Sequence, residues 1–275
     1  MPTLPPGRSP RSAQALHENR RTAESFGSDA ERYDRARPHY PRPMVDRIVA
    51  SGAGPDVLDV GCGTGIVARQ FAAVGCRVLG VDVDARMADL ARRRGLDVEV
   101  ASFEAWDPAG RTFGAVVSGQ AWHWLDPVAG AARAAEALRP RGLLALFWNA
   151  GQPLPEVAQA FVEVYRRVLP GSLAARQGTV SAVDGYAPLC TKAADGIRET
   201  GAFAEPEQWR YDWDQSYTRD EWLDQLPTQG AFTRLPQAQL QEVLAGVGAA
   251  IDAVGGDFTM HYATLVVAAT RTGST

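Results

Sequence analysis

The sequence predicts an α/β fold in which helices cover both faces of a doubly wound, mostly parallel sheet. Between residues 56 and 148, short apolar runs alternate with amphipathic segments of helical length. This alternation is typical of strand–helix–strand units, whose crossover helices bury both faces of a parallel sheet. The first apolar run, 57–60, leads directly into a glycine-rich turn at 61–65. Such a turn opens backbone N–H groups at the start of a helix to a ligand.

The elements of this first part follow one another with clear start and stop signals. Apolar spacing between residues 44 and 49 predicts a helix before the first strand. Strands are predicted at 56–60, 77–82, 97–101, 113–118 and 142–148, and helices at 65–74, 85–94 and from Asp126 to about Arg139. Gly75 and Gly95 end the first two of these helices, and Asp126-Pro127 supplies the N-cap and the first-turn proline of the third.

Beyond residue 150 the pattern is looser. Periodicity predicts a helix over 154–168, an edge strand over 208–213, a helix over 240–254 and a closing strand over 261–269. Residues 170–200 show little periodicity, and we expect an irregular lid or substrate-binding element there. The expected organisation is a mobile tail (1–24) and a single domain (25–275), divided into a cofactor-binding core (25–150), a lid elaboration (151–230) and a closing helix and strand (231–275).

The composition argues against several classes of protein. The chain has 275 residues, a net charge of −4 and one lysine, Lys192. Since it is acidic and has no concentrated basic face, we expect no nucleic-acid partner. No run reaches membrane-spanning length, so we expect no membrane partner.

The cysteines and histidines argue against a metal site. Cys62, Cys76 and Cys190 lack metal-ligand spacing, and an odd number of cysteines is typical of a reducing, cytoplasmic location. The four histidines lie far apart in the sequence and no carboxylate cluster stands out, so we expect no metal.

The glycine-rich turn indicates which kind of ligand binds. A dinucleotide-binding turn requires G-x-G-x-x-G, whereas this chain has G-x-G-x-G with Ile66 at the next position. Asp59, two residues before the first glycine, can face an ammonium group, and Cys62 is a small spacer within the turn. Asp82 ends the second predicted strand about 20 residues further on, where a carboxylate accepts ribose hydroxyls. These features predict a nucleoside cofactor.

Residues 57–65 resemble motif I of the class I S-adenosylmethionine (SAM) methyltransferases at every position, and Asp82 resembles the acidic end of their second strand. Two further segments resemble small-molecule methyltransferases of the type 11 and trans-aconitate-methyltransferase-like groups. They are Gln120-Ala121-Trp122-His123-Trp124 after the fourth strand and the segment 33–41 upstream. The resemblance covers residues 26–270. It implies a Rossmann-like, doubly wound, seven-stranded sheet with an antiparallel last strand, helices on both faces and a helical lid insertion. It also implies SAM as cofactor with S-adenosylhomocysteine (SAH) as product, and a small-molecule acceptor.

The resemblance also implies which residues form the site. We expect the segment 33–40 to fold over the cofactor, Asp82 to bind the ribose and Phe103 to cover the adenine ring. The expected cofactor-binding residues are Tyr33, Arg37, Asp59, Gly61, Cys62, Gly63, Gly65, Asp82, Val83, Met87, Ser102, Phe103, Glu104 and Gln120. The expected acceptor-binding residues are Tyr40, Trp122 and Trp124, and the candidate catalytic residue is His123.

We expect the loop after the fourth strand to act mainly by holding the methyl acceptor in place. Methyl transfer is an in-line displacement, so the enzyme mainly holds the acceptor about 3–3.5 Å from the methyl carbon. Trp122 and Trp124 are candidate aromatic walls beside a sulfonium, or they pack in the core. His123 is a candidate general base for a hydroxyl or amine acceptor, or it bonds a backbone carbonyl.

Three charged residues keep alternative roles. A carboxylate acceptor needs no base, and Arg37 or Arg35 could bind it by a bidentate contact. Either arginine could instead pair with Asp34 or hold the methionyl carboxylate of the cofactor. Glu104 either accepts the adenine amino group or caps a helix.

Two other functions stay open at this point. One is an NAD-dependent oxidoreductase, against which Ile66 argues. The other is a protein that binds SAM or SAH without catalysis. We expect a monomer or a homodimer.

Overall fold

The computed structural model describes residues 24–176 and 181–273. Its centre is a seven-stranded sheet with the order β3-β2-β1-β4-β5-β7-β6. The strands are β1 (Asp56–Val60), β2 (Arg77–Asp82), β3 (Asp97–Val100), β4 (Phe113–Gly119), β5 (Leu138–Pro153), β6 (Glu207–Thr218) and β7 (Asp257–Thr270). Strands β1 to β5 pair in parallel, and β7 runs antiparallel to both of its neighbours, β5 and β6. The predicted sheet, with its antiparallel last strand, is confirmed.

Helices lie on both faces of this sheet. They are α1 (Ala30–Ala36), α2 (Arg42–Ser51), α3 (Ile66–Ala72), α4 (Ala85–Arg93), α5 (Pro127–Ala137), α6 (Pro155–Val168), α7 (Leu173–Arg176), α8 (Ala182–Thr200), α9 (Arg219–Gln225) and α10 (Gln237–Ala253). A 3₁₀ turn at Glu24–Asp29 precedes α1. Apart from Glu24, the predicted tail at 1–24 lies outside the described residues.

The prediction of an irregular segment at 170–200 is wrong. Most of it is α8, a helix of 19 residues that begins at the N-cap Ser181 and ends at Gly201 in the left-handed conformation. Gly185 and Pro188 lower its helical propensity, and its buried stripe consists largely of small residues, which weakens the apolar pattern. That stripe, Cys190, Ala193, Ala194 and Ile197, has helical spacing and packs in the core beside α5.

The last two strands are longer than their apolar patterns predict. β6 was expected at 208–213 but pairs with β7 over twelve residues, Glu207 to Thr218. One face of this edge strand is exposed, so polar residues alternate with apolar ones along it. The apolar pattern therefore does not show where the strand begins and ends. The helix after it, α9, was not predicted. It begins with a capping box in which the Thr218 and Glu221 side chains each bind the other's backbone N–H.

Three apolar clusters hold the layers together. One joins the sheet to α5 and α8, and a second joins the opposite face to α2 and α3. The third lies between the outer ends of β6 and β7 and helices α6, α9 and α10. This last cluster forms a separate wall beside the carboxyl end of the sheet, next to the site described below.

Candidate active site

The glycine turn after β1 brings bare backbone to the carboxyl edge of the sheet. Gly61, Gly63 and Gly65 have φ values of 67°, 54° and 85°, in the left-handed region that favours glycine. A Cβ atom at Gly61 would overlap that of Ala121, and one at Gly65 would overlap the Leu96 side chain. The turn therefore needs glycine both for its backbone shape and for close packing against the neighbouring loops.

Asp82, the last residue of β2, faces this turn. Its Oδ2 accepts a hydrogen bond from the backbone N–H of Gly63 at 2.7 Å, and its Oδ1 accepts one from that of Asp84 at 2.8 Å. Burial raises the pKa of Asp82, although these N–H groups oppose the shift. Each carboxylate oxygen has a further lone pair, so Asp82 can also accept hydrogen bonds from two hydroxyl groups.

Asp59 lies behind the turn, in the interior of β1. It is 1% exposed, and neither carboxylate oxygen has a hydrogen-bond partner among the described residues. Burial, together with the nearby negative charge of Asp82, raises the pKa of Asp59 to about 8. A buried carboxylate without a partner is costly when ionised, so this residue favours a cation beside it.

A cavity of about 270 Å³ opens above these residues. That is far more than the roughly 30 Å³ that a water molecule occupies in the liquid. Thirteen of the eighteen predicted site residues line it: Tyr33, Arg37, Gly61, Gly63, Asp82, Val83, Met87, Ser102, Phe103, Glu104, Gln120, His123 and Trp124. These residues come from the ends of β1 to β4 and from the N-terminal segment, which the structure brings together.

Five predicted site residues do not line the cavity. Asp59 lies beneath it, Cys62 packs against α4 and β3, and Gly65 is the N-cap of α3. Trp122 is 2% exposed and packs on Phe103 in the core, with ring centroids 6.3 Å apart. Tyr40 packs edge-on against Phe147, with centroids 4.8 Å apart. The rings of Trp122 and Tyr40 point into apolar clusters, so neither residue lines the cavity.

Phe103 and Glu104 line the cavity just after the end of β3. Phe103 is 3% exposed and lines the cavity at its inner wall. The Glu104 carboxylate accepts hydrogen bonds from Ser102 Oγ at 2.6 Å and from the backbone N–H of Asp126 at 3.2 Å. Glu104 thus ties the β3 end to the N-cap residue of α5 while it also faces the cavity.

The turn after β4 places His123 and Trp124 at the cavity. Gln120 begins it with a φ of 56°, an uncommon left-handed conformation for a residue other than glycine. His123 Nδ1 accepts a hydrogen bond from Trp148 Nε1–H at 3.2 Å. Burial lowers the pKa of His123 to about 4. The imidazole is therefore neutral at pH 7 and carries its proton on Nε2.

The N-terminal segment covers the cavity. Phe26 lies 6.0 Å from Tyr33 and 6.2 Å from Trp124 between ring centroids, which makes an aromatic cover. Gly27 sits so close to Asp84 that a Cβ atom there would overlap the carboxylate. The guanidinium of Arg37 lies 5.0 Å from the centre of the Tyr33 ring.

The neighbouring charges are paired elsewhere. Asp34 binds Arg69 at 2.6 Å, and Arg35 forms a bidentate pair with Asp224 outside the cavity. Neither Arg35 nor Arg37 pairs with Asp34, which was one of the open alternatives.

Comparison with known proteins agrees with this geometry. Residues 57–142 match the model of a family described as "Methyltransferase domain". A putative type II methyltransferase from Anaeromyxobacter dehalogenans has the same fold, with a TM-score of 0.62, 21% identity, and coverage of 86% of this chain and 99% of that one. Residues 57–142 are thus similar to a methyltransferase domain, and most of the chain shares its fold with a methyltransferase structure.

The curated relatives of this methyltransferase domain match over part of their length. An uncharacterized methyltransferase of Mycobacterium tuberculosis is 38% identical over 128 residues, which cover 46% of this chain and 52% of the relative. A malonyl-[acyl-carrier protein] O-methyltransferase of Enterobacter lignolyticus is 32% identical over 165 residues, covering 56% and 66%. The chain thus spans about half the length of the first of these relatives.

A solved structure with bound cofactor shares the fold of the domain. The phosphoethanolamine N-methyltransferase 2 of Haemonchus contortus in complex with SAM has a TM-score of 0.50 and 17% identity. The match covers 96% of this chain and 62% of that one.

Several residues of the methyltransferase site were not predicted from the sequence. The cavity lining also includes Phe26, Asp84, Leu125 and Tyr186. Phe26 and Leu125 adjoin predicted motifs, whereas Tyr186 lies on α8, within the segment that was expected to be irregular. Among residues 24–176 and 181–273, no group of three or more His, Cys, Asp or Glu side chains could hold a metal ion. No helix in those ranges is both long enough and apolar enough to cross a membrane.

Proposed function

We propose that the protein transfers a methyl group from SAM to a small-molecule acceptor. The observation that carries this proposal is the position of Asp82, whose carboxylate closes over the glycine turn at the mouth of the cavity. A carboxylate at the end of the second strand, beside open backbone N–H groups, suits a ribose with two free hydroxyls. The turn lacks the third glycine of a dinucleotide site, since Ile66 begins α3 at that position.

We propose that different residues of the cavity bind different parts of the cofactor. Asp82 would bind the ribose, Phe103 and Ser102 would border the adenine, and Gly61 and Gly63 would lie against the methionyl part. Asp59, buried behind the turn, would stabilise the ammonium group by its negative charge. Tyr33, Arg37, Val83, Met87, Glu104 and Gln120 complete the proposed cofactor-binding set.

When bound, SAM supplies a methyl group on a positively charged sulfonium. Trp124, Tyr33 and Phe26 surround part of the cavity with aromatic faces, which attract a cation by about 0.5–2 kcal/mol. The main contribution of the protein is then to hold the acceptor in line with the methyl group.

The His123 environment favours hydrogen-bond donation over proton removal. Its basic nitrogen, Nδ1, is occupied by Trp148, and its pKa of about 4 lies well below the neutral range in which a general base works best. We therefore propose that His123 Nε2–H donates a hydrogen bond to an oxygen atom of the methyl acceptor and positions it. The proton of a hydroxyl or amine acceptor would then leave to solvent.

The same proposal covers the cellular location, the partners, the assembly state and the need for a metal. The three described cysteines are free and buried, which supports a reducing, cytoplasmic environment. The net charge of −4 disfavours a nucleic-acid acceptor. We propose a monomer or homodimer that needs no metal, because methyl transfer from a sulfonium requires no Lewis acid.

The test is a calorimetric titration of the purified protein with SAM, SAH and NAD. Binding of SAM and SAH at micromolar concentration, with no binding of NAD, is the expected result. Binding of NAD alone would overturn the proposal in favour of an oxidoreductase. Release of SAH during incubation with SAM and a panel of small carboxylates, phenols and amines then separates an enzyme from a protein that only holds the cofactor.

A further inference from the structure

Tyr186 lines the cavity from α8, a helix that contributes nothing to the glycine turn or to the strand ends. Its ring packs against the same apolar cluster as the buried stripe of α8, which continues with Cys190, Ala193 and Ala194. Those inner residues are small and apolar because they pack in the core. Tyr186 stands at the outer end of the stripe, where a side chain with an apolar body and a polar tip can pack and still reach the cavity.

The hydroxyl of Tyr186 makes no hydrogen bond inside the protein. Within residues 24–176 and 181–273, no side chain or backbone group binds it. By contrast, the hydroxyls of Tyr217 and Tyr262 pair with each other at 2.9 Å. The Tyr186 ring is only partly buried and borders the cavity, so its hydroxyl is open to a bound molecule.

The helix that carries Tyr186 lies beside the turn that carries His123. α8 contacts the 3₁₀ turn Trp122–Trp124 as well as α5. Tyr186 and His123 both line the cavity. Because Trp148 occupies Nδ1 of His123, the group that this histidine offers to a ligand is Nε2–H. Two hydrogen-bonding groups from neighbouring elements therefore open to the same space.

This pair of groups suits a hydroxyl group on the ligand. His123 Nε2–H only donates a hydrogen bond, whereas the Tyr186 hydroxyl can donate or accept one. A ligand hydroxyl can accept a hydrogen bond from His123, donate its own proton to Tyr186 and keep a second lone pair free for the methyl carbon. A protonated amine carries donors only, so it would offer no acceptor to His123.

The charges around the cavity favour a neutral ligand group. Asp82, Asp84 and Glu104 line the cavity, against one arginine, Arg37, among the described lining residues. A carboxylate on the ligand could accept hydrogen bonds from both His123 and a donating tyrosine hydroxyl, but the three carboxylates would repel it. A neutral hydroxyl avoids this repulsion.

We infer that Tyr186 is an acceptor-binding residue, whose hydroxyl and His123 Nε2–H together hold a neutral hydroxyl group of the methyl acceptor. The acceptor is thus an alcohol or a phenol. This inference rests on the proposed function, because it assigns the acceptor of the same site.

The first experiment titrates the protein, saturated with SAH, with phenol, benzyl alcohol and cyclohexanol. Toluene, benzylamine and benzoate are the matched probes that lack a neutral hydroxyl. Binding is followed by NMR of nitrogen-15-labelled histidine, and the His123 signals are assigned from their loss in His123→Gln. We expect at least one hydroxyl probe to shift the Nε2 signal of His123 and to bind more tightly than the three matched probes.

The second experiment repeats the titration with Tyr186→Phe, which removes the hydroxyl and keeps the ring. Affinity for the hydroxyl probe should fall about three- to tenfold, the effect of one neutral hydrogen bond. Affinities for toluene and for SAH should stay unchanged, a difference that a residue with only a packing role would not produce. The matched control, Tyr211→Phe, removes a tyrosine hydroxyl on β6 outside the cavity lining and should change none of these affinities.

Several outcomes would overturn the inference and leave the proposed function intact. Equal weakening of the hydroxyl probe and toluene in Tyr186→Phe would make Tyr186 a packing residue, and a loss of SAH affinity there would assign it to the cofactor. Tighter binding of benzoate or benzylamine, or SAH binding without binding of any hydroxyl probe, would reject a hydroxyl acceptor. Failure of SAH itself to bind would instead reject the proposed function.

Discussion

The two ends of the cavity are built in different ways. At the end beside the glycine turn, the nucleoside end of our proposal, the polar groups come from a continuous stretch, residues 59–104, in which each strand ends in a turn. At the Arg37 end, the side chains come from two separated elements, the N-terminal segment with Tyr33 and Arg37 and α8 with Tyr186. The first end depends on local backbone geometry, whereas the second exists only once the N-terminal segment and α8 have packed beside the sheet.

The two ends also differ in charge. Asp59, Asp82, Asp84 and Glu104 lie at or beneath the nucleoside end, while Arg37 is the cation among the described residues that line the other end. A cofactor with an ammonium and a sulfonium suits the acidic end. The guanidinium of Arg37 suits an anionic group of a bound ligand. This difference predicts that substitutions at the two ends affect different ligands.

Asp82→Ala should produce the largest effect, a loss of SAH affinity on the order of a hundredfold or more. Two hydroxyl groups would lose charge-assisted hydrogen bonds, each worth about 1.5–3 kcal/mol. Calorimetric titration with SAH measures this loss. Asp89→Ala, an exposed carboxylate on α4, is the matched control.

Because Asp82 also binds the N–H groups of Gly63 and Asp84, thermal unfolding without ligand should accompany the titration. A folded Asp82→Ala protein with wild-type SAH affinity would contradict the ribose role. Asp82→Asn keeps one acceptor oxygen and should lose less affinity than the alanine variant.

The nucleoside end is the part that the sequence predicts well. The spacing from the glycine turn to Asp82 follows from one strand–helix–strand unit, so local pattern alone brings these groups together. The resemblance does not predict in which direction a side chain of the loop after β4 points. Trp122 and His123 are adjacent, yet Trp122 turns into the core and His123 lines the cavity.

The Arg37 end could not be predicted as a constellation, although Arg37 itself was a candidate. Its environment depends on α8, where small residues and Pro188 obscure the helical pattern. Contacts between residues so far apart in sequence leave no local periodicity to detect.

The second prediction concerns Asp59, which should make the affinity for SAH depend on pH. With a pKa of about 8 in the free protein, Asp59 is mostly protonated at pH 6, and the ammonium of SAH favours its ionised form. SAH affinity should therefore rise about 50-fold between pH 6 and pH 8. Affinity for 5′-methylthioadenosine, which lacks the ammonium, should stay nearly constant. Asp59→Asn should abolish the pH dependence, and a dependence that persists there would assign it to another group.

The same group affects the stability of the unliganded protein. Since the pKa of Asp59 is raised on folding from its usual value near 4, the folded state holds a proton that the unfolded chain releases between about pH 4 and pH 8. Its contribution to the free energy of unfolding therefore decreases as pH rises through that window. Urea unfolding at pH 5, 6.5 and 8 should show a smaller decrease in Asp59→Asn than in wild type.

The smallest expected effect is at the cover that connects the two ends. Gly27 lies against the Asp84 carboxylate, and an added Cβ atom would overlap it, so Gly27→Ala should displace the segment that carries Phe26. We expect a loss of SAH affinity of about three- to tenfold, measured by calorimetry. Thermal stability should change little, since this segment packs at the surface of the cavity. Ser28→Ala, at an exposed neighbouring position, is the matched control. If Gly27→Ala and Ser28→Ala bind SAH equally well, the cover contributes nothing to cofactor binding. The aromatic residues Phe26 and Tyr33 would then belong to the acceptor end alone.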